Sequence, residues 1–142
     1  MNQLIMMVGL PRSGKSTLAR ELKHPIVCPD SIRLALHGQP FIGLAEPFVW
    51  AIAKVMVRSL FLSGHEQVIL DATNVTRERR DAWRSRDWDR VFVEVTTPLA
   101  ECLQRTDDAG LTAAILRMYD EFEAVDPEEC DDQLRREAAA NE

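Results

Sequence analysis

Residues Leu4–Thr17 read LIMMVGLPRSGKST, and the order within this stretch decides the fold. An apolar run, Leu4–Val8, leads straight into Gly9-Leu10-Pro11-Arg12-Ser13-Gly14-Lys15-Ser16-Thr17. Leu18, Ala19 and Leu22 then follow at helical spacing. Strand, glycine loop and helix in that order form a phosphate-binding loop. Gly9 and Gly14 permit backbone dihedrals that a β-carbon resists, so successive N–H groups point at a polyphosphate. The helix start adds its positive dipole end. Lys15 supplies a cation to the outer phosphates, and the Ser16 hydroxyl suits Mg²⁺. Gly9, Pro11, Ser13, Gly14, Lys15, Ser16 and Thr17 are therefore the candidate contacts to a nucleoside triphosphate, ATP in the first instance.

Outward from that loop, short apolar runs alternate with amphipathic stretches, the pattern of an α/β fold with a mainly parallel sheet covered on both faces by helices. The reading predicts strands over Gln3–Val8, Ile26–Cys28, Gln67–Leu70 and Val91–Thr97, in a sheet of four to five. It predicts helices over Lys15–Lys23, Ser31–His37, Glu46–Ser63, Thr76–Asp87, Pro98–Thr106 and Thr112–Glu123, with a break at Asp107–Gly110. Residues 1–126 form one phosphate-loop kinase domain in this reading, and 127–142 an acidic tail, helical or frayed and without a core face. Gly38 and Pro40 stop the second helix.

The 142 residues suit one domain, with 46% hydrophobic and 28% charged residues. The longest apolar stretch, Phe48–Leu62, contains Lys54 and Arg58 and is too short to span a bilayer. No basic region precedes the first apolar run, which argues against a signal peptide. The three cysteines are scattered, indicating neither disulfides nor zinc. A cytosolic setting is the expectation. The net charge of −6 is unevenly placed: residues 120–142 carry −8 and residues 1–119 carry +2. The phosphate-loop body is therefore no poor partner for a nucleic acid.

Open parallel sheets gather ligands at the carboxyl ends of their strands, where Asp30 and Asp71 also fall. Asp71 ends a Val-Ile-Leu run, so its carboxylate either holds Mg²⁺ or fixes a nearby arginine. Asp30 either caps a helix or accepts a proton from an incoming hydroxyl. Arg33, one helical turn on, suits an anionic group of the substrate. The arginines Arg77, Arg79, Arg80, Arg84, Arg86 and Arg90 alternate with Asp81, Asp87 and Asp89, which predicts a solvated helix. The competing reading has the first of them meeting acceptor phosphates. Trp50 and Trp83 are expected in the core or lining a groove.

Together GLPRSGKST, PDSIR, LDATNVTRERRDAW and ILRMYDEFE, in this order, resemble the polynucleotide 5′-hydroxyl kinases, a phage-kinase-like group of small AAA-like phosphate-loop kinases. The likeness runs from Leu4 to Glu123. It implies that Lys15, Ser16 and Thr17 hold ATP and Mg²⁺, that Asp30 is the general base, and that Arg33 contacts an acceptor phosphate. It further implies that Asp71 orients Arg33, which competes with the metal-ligand reading. Arg117 corresponds to a lid arginine that neutralises the transferring phosphoryl group, and Arg105 to one facing the nucleotide. The segment Thr106–Gly110 is shorter and more acidic than the lid of such kinases. No 3′-phosphatase activity is expected. The implied acceptor is the 5′-hydroxyl end of a polynucleotide. A small-molecule hydroxyl (metabolite, sugar or antibiotic) and a non-catalytic nucleotide-binding module remain alternatives.

Overall fold

Four apolar runs become strands β1 (Gln3–Val8), β2 (Ile26–Val27), β3 (Gln67–Leu70) and β4 (Asp89–Glu94), all parallel, in the order β2-β3-β1-β4. The structure is a computed structural model that describes residues 1–38 and 41–131. The central strand β1 is apolar from Leu4 to Val8 and buried on both sides, as a strand covered on two faces must be. Its register, Gln3 opposite Gln67 on one side and Asp89 on the other, brings all the carboxyl ends to one edge.

Among the described residues the sheet is covered by helices α1 (Lys15–Glu21), α2 (Pro29–His37), α3 (Glu46–Leu62), α4 (Arg77–Asp81), α5 (Leu99–Gln104) and α6 (Ala109–Glu121). On one face Ala19, Leu18 and Leu22 of the α1 segment pack on Ile5, Met7 and Ile69. On the other, Val49, Ala53, Val57 and Phe61 repeat every fourth residue along α3 and close over Leu4, Met6, Val68 and Leu70. A third cluster joins Cys102 of α5 and Ile115 of α6 to Leu10 of the phosphate loop. The chain leaving β1 thus turns to the α1 face, whereas the chain leaving β3 carries Trp83 into the α3 face. Between β1 and β3 the connections diverge, which opens a crevice at the carboxyl edge.

Several expectations need correction. The helix predicted over Thr76–Asp87 ends at Asp81. A turn follows that lets both Trp83 and Trp88 reach the core; Trp88 Nε1 donates to the Trp83 carbonyl at 2.9 Å, and its ring stacks on Phe61. Nor is the arginine-rich stretch a solvated face throughout. Arg80 is fully buried, with Nε and Nη2 on the Glu129 carboxylate at 2.9 and 3.2 Å and Nη1 on the Asn74 carbonyl at 2.9 Å. Arg90, 1% exposed, binds Asp131 through Nε and Nη2, and the carbonyls of Arg80 and Glu129. The carboxylates that bury Arg80 and Arg90 lie some forty to fifty residues away in the chain.

Those partners stand in the segment expected to be a tail without a core face. Pro127–Glu129 form a 3₁₀ turn capped by Asp126, and Glu129 is fully buried. Glu129 and Asp131 thus pack on the body, while 132–142 lie outside the described residues, as does Pro40. The break expected at Asp107–Gly110 is also shorter: Asp108 accepts from the Leu111 N–H at 2.8 Å and starts α6 at Ala109. Strand β4 begins two residues earlier than predicted, because Asp89 and Arg90 pair with Gln3 and Leu4.

Glu129→Ala leaves the buried Arg80 guanidinium without its counter-charge, and should cost about 3–5 kcal/mol in urea unfolding. Burial pushes the Glu129 and Asp131 carboxyls up, but hydrogen bonds and charge from Arg80 and Arg90, with the Asp126 N–H on Glu129, together outweigh it and hold both below their ordinary values. As pH falls the unfolded chain takes these protons first, so their contribution is present above the ordinary carboxylate range and lost below it. Thermal melts from pH 7 to pH 3 should show a steeper acid-side loss for the wild type than for Glu129→Gln.

Candidate active site

The loop between β1 and α1 has the two constraints that its glycines predict. A β-carbon on Gly9 would stand 2.9 Å from the Val95 carbonyl oxygen and 3.0 Å from Ser13 Oγ, so the chain passes where no side chain fits. Gly14 has φ 97° at the start of α1, a left-handed conformation that suits glycine. Thr97 Oγ1 donates to the Ser13 carbonyl at 2.6 Å, and Arg105 Nη1 donates to the Arg12 carbonyl at 2.9 Å. Arg105 thus borders the loop, held also by Glu101 at 3.7 Å.

Lys15 folds back over the loop, where Nζ donates to the Leu10 carbonyl at 2.8 Å. Burial pushes its pKa down, against the opposing pull of the Asp71 and Asp30 carboxylates. A buried cation with one hydrogen bond is short of negative charge, and a polyphosphate supplies it. The buried Ser13 hydroxyl is without a hydrogen-bond partner among the described residues, a second group left for a ligand.

Across the crevice between β1 and β3, Ser16 Oγ donates to Asp71 Oδ2 at 2.7 Å. Two adjacent oxygen donors beside a phosphate loop match the chemistry of Mg²⁺, which takes one or two protein oxygens and completes its shell with phosphate and water. Gly9 N–H donates to the Thr73 carbonyl, and the Asn74 side chain (φ 47°) donates to the Met7 carbonyl at 2.8 Å. The Thr73-Asn74 pair thus pins the two strand ends together.

A cleft of about 600 Å³ opens beyond this junction, lined by Pro11, Asp30, Arg33, Trp50, Asp71, Arg79 and Arg117 among others. Asp30 and Arg117, which come from α2 and α6, share it. Arg33 is held differently from what the resemblance implies. Its Nε and Nη2 donate to Glu46 at 2.9 and 2.6 Å, while Nη1 binds Asp30 Oδ1 at 2.5 Å. Glu46, not Asp71, orients the guanidinium, and the hydrogen bond to it raises the Arg33 pKa further. Sequence reasoning missed Glu46 because it follows Arg33 by thirteen residues across a turn, with no periodic spacing to mark it. The Asp30 side chain is 77% exposed, so an incoming group can reach it. Arg117 is exposed on α6, with no hydrogen bond or ion pair among the described residues.

A family profile described as an AAA domain matches residues 4–137. No curated protein matches the sequence. Among solved structures, a chain of a Pnkp1/Rnl/Hen1 complex is 28% identical and superposes with a TM-score of 0.66, over 76% of this chain and 40% of that one. A chain of a Pnkp1/Rnl/Hen1 RNA repair complex is 19% identical with a TM-score of 0.63, over 86% of this chain and 46% of that one. The present chain spans less than half the length of each. A gluconokinase from Sinorhizobium meliloti 1021 is 20% identical with a TM-score of 0.54, over 86% of this chain and 75% of that one. At such identity the last two likenesses concern the fold alone.

Gly9→Ala forces its new methyl group against the Val95 carbonyl and the unpartnered Ser13 hydroxyl. Binding of a fluorescent ATP analogue should weaken by at least about tenfold, while burying one methyl group too many costs about 1–3 kcal/mol of stability. Wild-type affinity in this variant would remove the loop from the site.

Proposed function

The chain belongs to the AAA-domain family, with a phosphate-loop kinase fold, and on that premise we propose that it moves the γ-phosphoryl group of ATP to a hydroxyl acceptor, the 5′-hydroxyl end of a polynucleotide. One observation carries the reading: Asp30, Arg33 and Arg117 line a single cleft that ends on Asp71, the partner of Ser16. A nucleotide-binding switch has no use for a carboxylate facing an open acceptor space, nor for an unpaired guanidinium across from it.

In this mechanism the Gly9–Gly14 backbone, Ser13 and Lys15 cradle the triphosphate, and Thr17 adds a hydroxyl. Ser16 and Asp71 would hold Mg²⁺, which supplies positive charge to the β- and γ-phosphate oxygens when bound. Asp30 takes the proton of the acceptor hydroxyl as its oxygen bonds to the γ-phosphorus, and the bond from that phosphorus to the bridging oxygen breaks, releasing ADP. Arg33 fixes one oxygen of Asp30 and so leaves the other for the proton. Arg117 and Arg105 neutralise charge spread over the transferring group, where electrostatics supplies most of the catalysis. The apolar contact of Cys102 and Ile115 with Leu10 couples the helix that carries Arg117 to the loop whose carbonyl holds Lys15.

A second reading, a kinase of the same architecture for a small hydroxyl compound, has one observation in its favour. The Arg33 fork is already filled by Glu46, so that guanidinium has little left for an acceptor phosphate.

Purified protein with radiolabelled ATP, offered a 5′-hydroxyl oligonucleotide, a nucleoside and a panel of sugars, separates the two. The expected label is on the oligonucleotide. Lys15→Ala should abolish it, and Asp30→Asn should lower kcat by about 10²–10⁴. Label on a sugar alone would overturn the polynucleotide reading in favour of the second.

A further inference from the structure

In the stretch after β3, the arginine that lines the cleft differs from the paired arginines around it. Arg77 and Arg84 reach Asp81, Arg80 binds Glu129, and Arg90 binds Asp131 and lies 3.5 Å from Asp81. The Arg79 guanidinium has neither a hydrogen bond nor an ion pair among the described residues. Its contact is with an aromatic face: its central carbon lies 5.5 Å from the centre of the Trp50 ring. Arg79 is exposed, and both residues line the cleft that contains Asp30.

We propose that Arg79 is the phosphate-binding residue that makes this cleft select acceptors carrying a phosphodiester, an inference that rests on the polynucleotide reading above. A guanidinium laid on an indole keeps its charge and its rim of N–H donors while losing much of its rotational freedom. Trp50 is itself fixed, edge-on to the buried Trp83 at 6.3 Å, and it carries Arg33 as well, at 5.8 Å. The two arginines on that ring are in different states. Arg33 is neutralised by Glu46 and Asp30, so it serves to hold the base. Arg79 keeps an uncompensated charge beside it, on the acceptor side of the cleft. Of the remaining carboxylates that line this space, Asp71 accepts from Ser16 and Glu121 stands near the end of α6. A polynucleotide brings a phosphate for Arg79 to meet, as a bidentate charge-assisted pair. A neutral sugar brings none. The contact reads backbone and not base, so it predicts no sequence preference.

The test is steady-state kinetics of wild type, Arg79→Ala and Arg79→Lys, with ATP saturating and a nucleoside, a nucleoside 3′-monophosphate and a 5′-hydroxyl oligonucleotide as acceptors, over a series of salt concentrations. Arg79→Ala should raise KM for the oligonucleotide about tenfold or more, change kcat less, and erase much of the preference over the nucleoside. The slope of log KM against log salt should fall by about 0.7, one phosphate contact to a single strand. Arg79→Lys should keep most of that slope, because it keeps the charge. Wild-type KM and slope in Arg79→Ala would overturn the inference and leave the polynucleotide reading intact. Equal KM losses in both variants, with lowered melting temperatures and an unchanged slope, would overturn it by making Arg79 a packing residue. A wild type that labels sugars and no oligonucleotide would overturn the reading beneath it.

Discussion

The hydrogen bond between Ser16 and Asp71, 2.7 Å long, crosses the crevice between β1 and β3 and marks the junction on which the site depends. It exists because two neighbouring parallel strands end at the same edge of the sheet and send their chains to opposite faces. The phosphate loop turns toward α1, and the DATN turn toward the α3 face. Gly9 N–H on the Thr73 carbonyl and Asn74 on the Met7 carbonyl lock the same junction from the backbone. Everything offered to a nucleotide or an acceptor is held relative to this seam.

Helices α5 and α6 and the carboxyl-terminal segment are fastened by different forces. Cys102, Ile115 and Leu10 join α5 and α6 to the phosphate loop by apolar burial. Beyond α6 the chain returns to the body and inserts Glu129 and Asp131 against Arg80 and Arg90. Buried ion pairs contribute little net stability compared with an apolar replacement, but each half is costly to leave alone. They therefore act as a register: the segment docks with both pairs made, or the guanidinium groups stay uncompensated.

Charge in the cleft is divided by partner. Arg33 is bound to Glu46 and Asp30 and orients a carboxylate. Lys15 rests on a carbonyl within a buried loop. Arg79 and Arg117 present their guanidinium groups from α4 and α6 without acidic partners among the described residues. That division matches a reaction in which two anions meet, one a triphosphate and the other an acceptor with phosphates of its own. Lys15 is buried and Asp30 is exposed, which is what the proposed reaction asks of a nucleotide contact and of a base.

The phosphate loop, the parallel α/β sheet and the positions of Asp30 and Asp71 at strand ends were legible in the chain, because each follows from local order: an apolar run, the glycines, a helical repeat. β1 and β3 fall where their periodicity sets them. Long-range pairings carry no such trace. That Glu46 holds Arg33, that Arg80 and Arg90 are buried on Glu129 and Asp131, and that Trp88 joins Trp83 in the core are decided by what lies opposite in space. A guanidinium reads the same in sequence whether water or a carboxylate surrounds it. Sequence alone therefore determined the fold and the kinds of group at its edge, while the tertiary structure decided which charges are neutralised and which are left for a ligand.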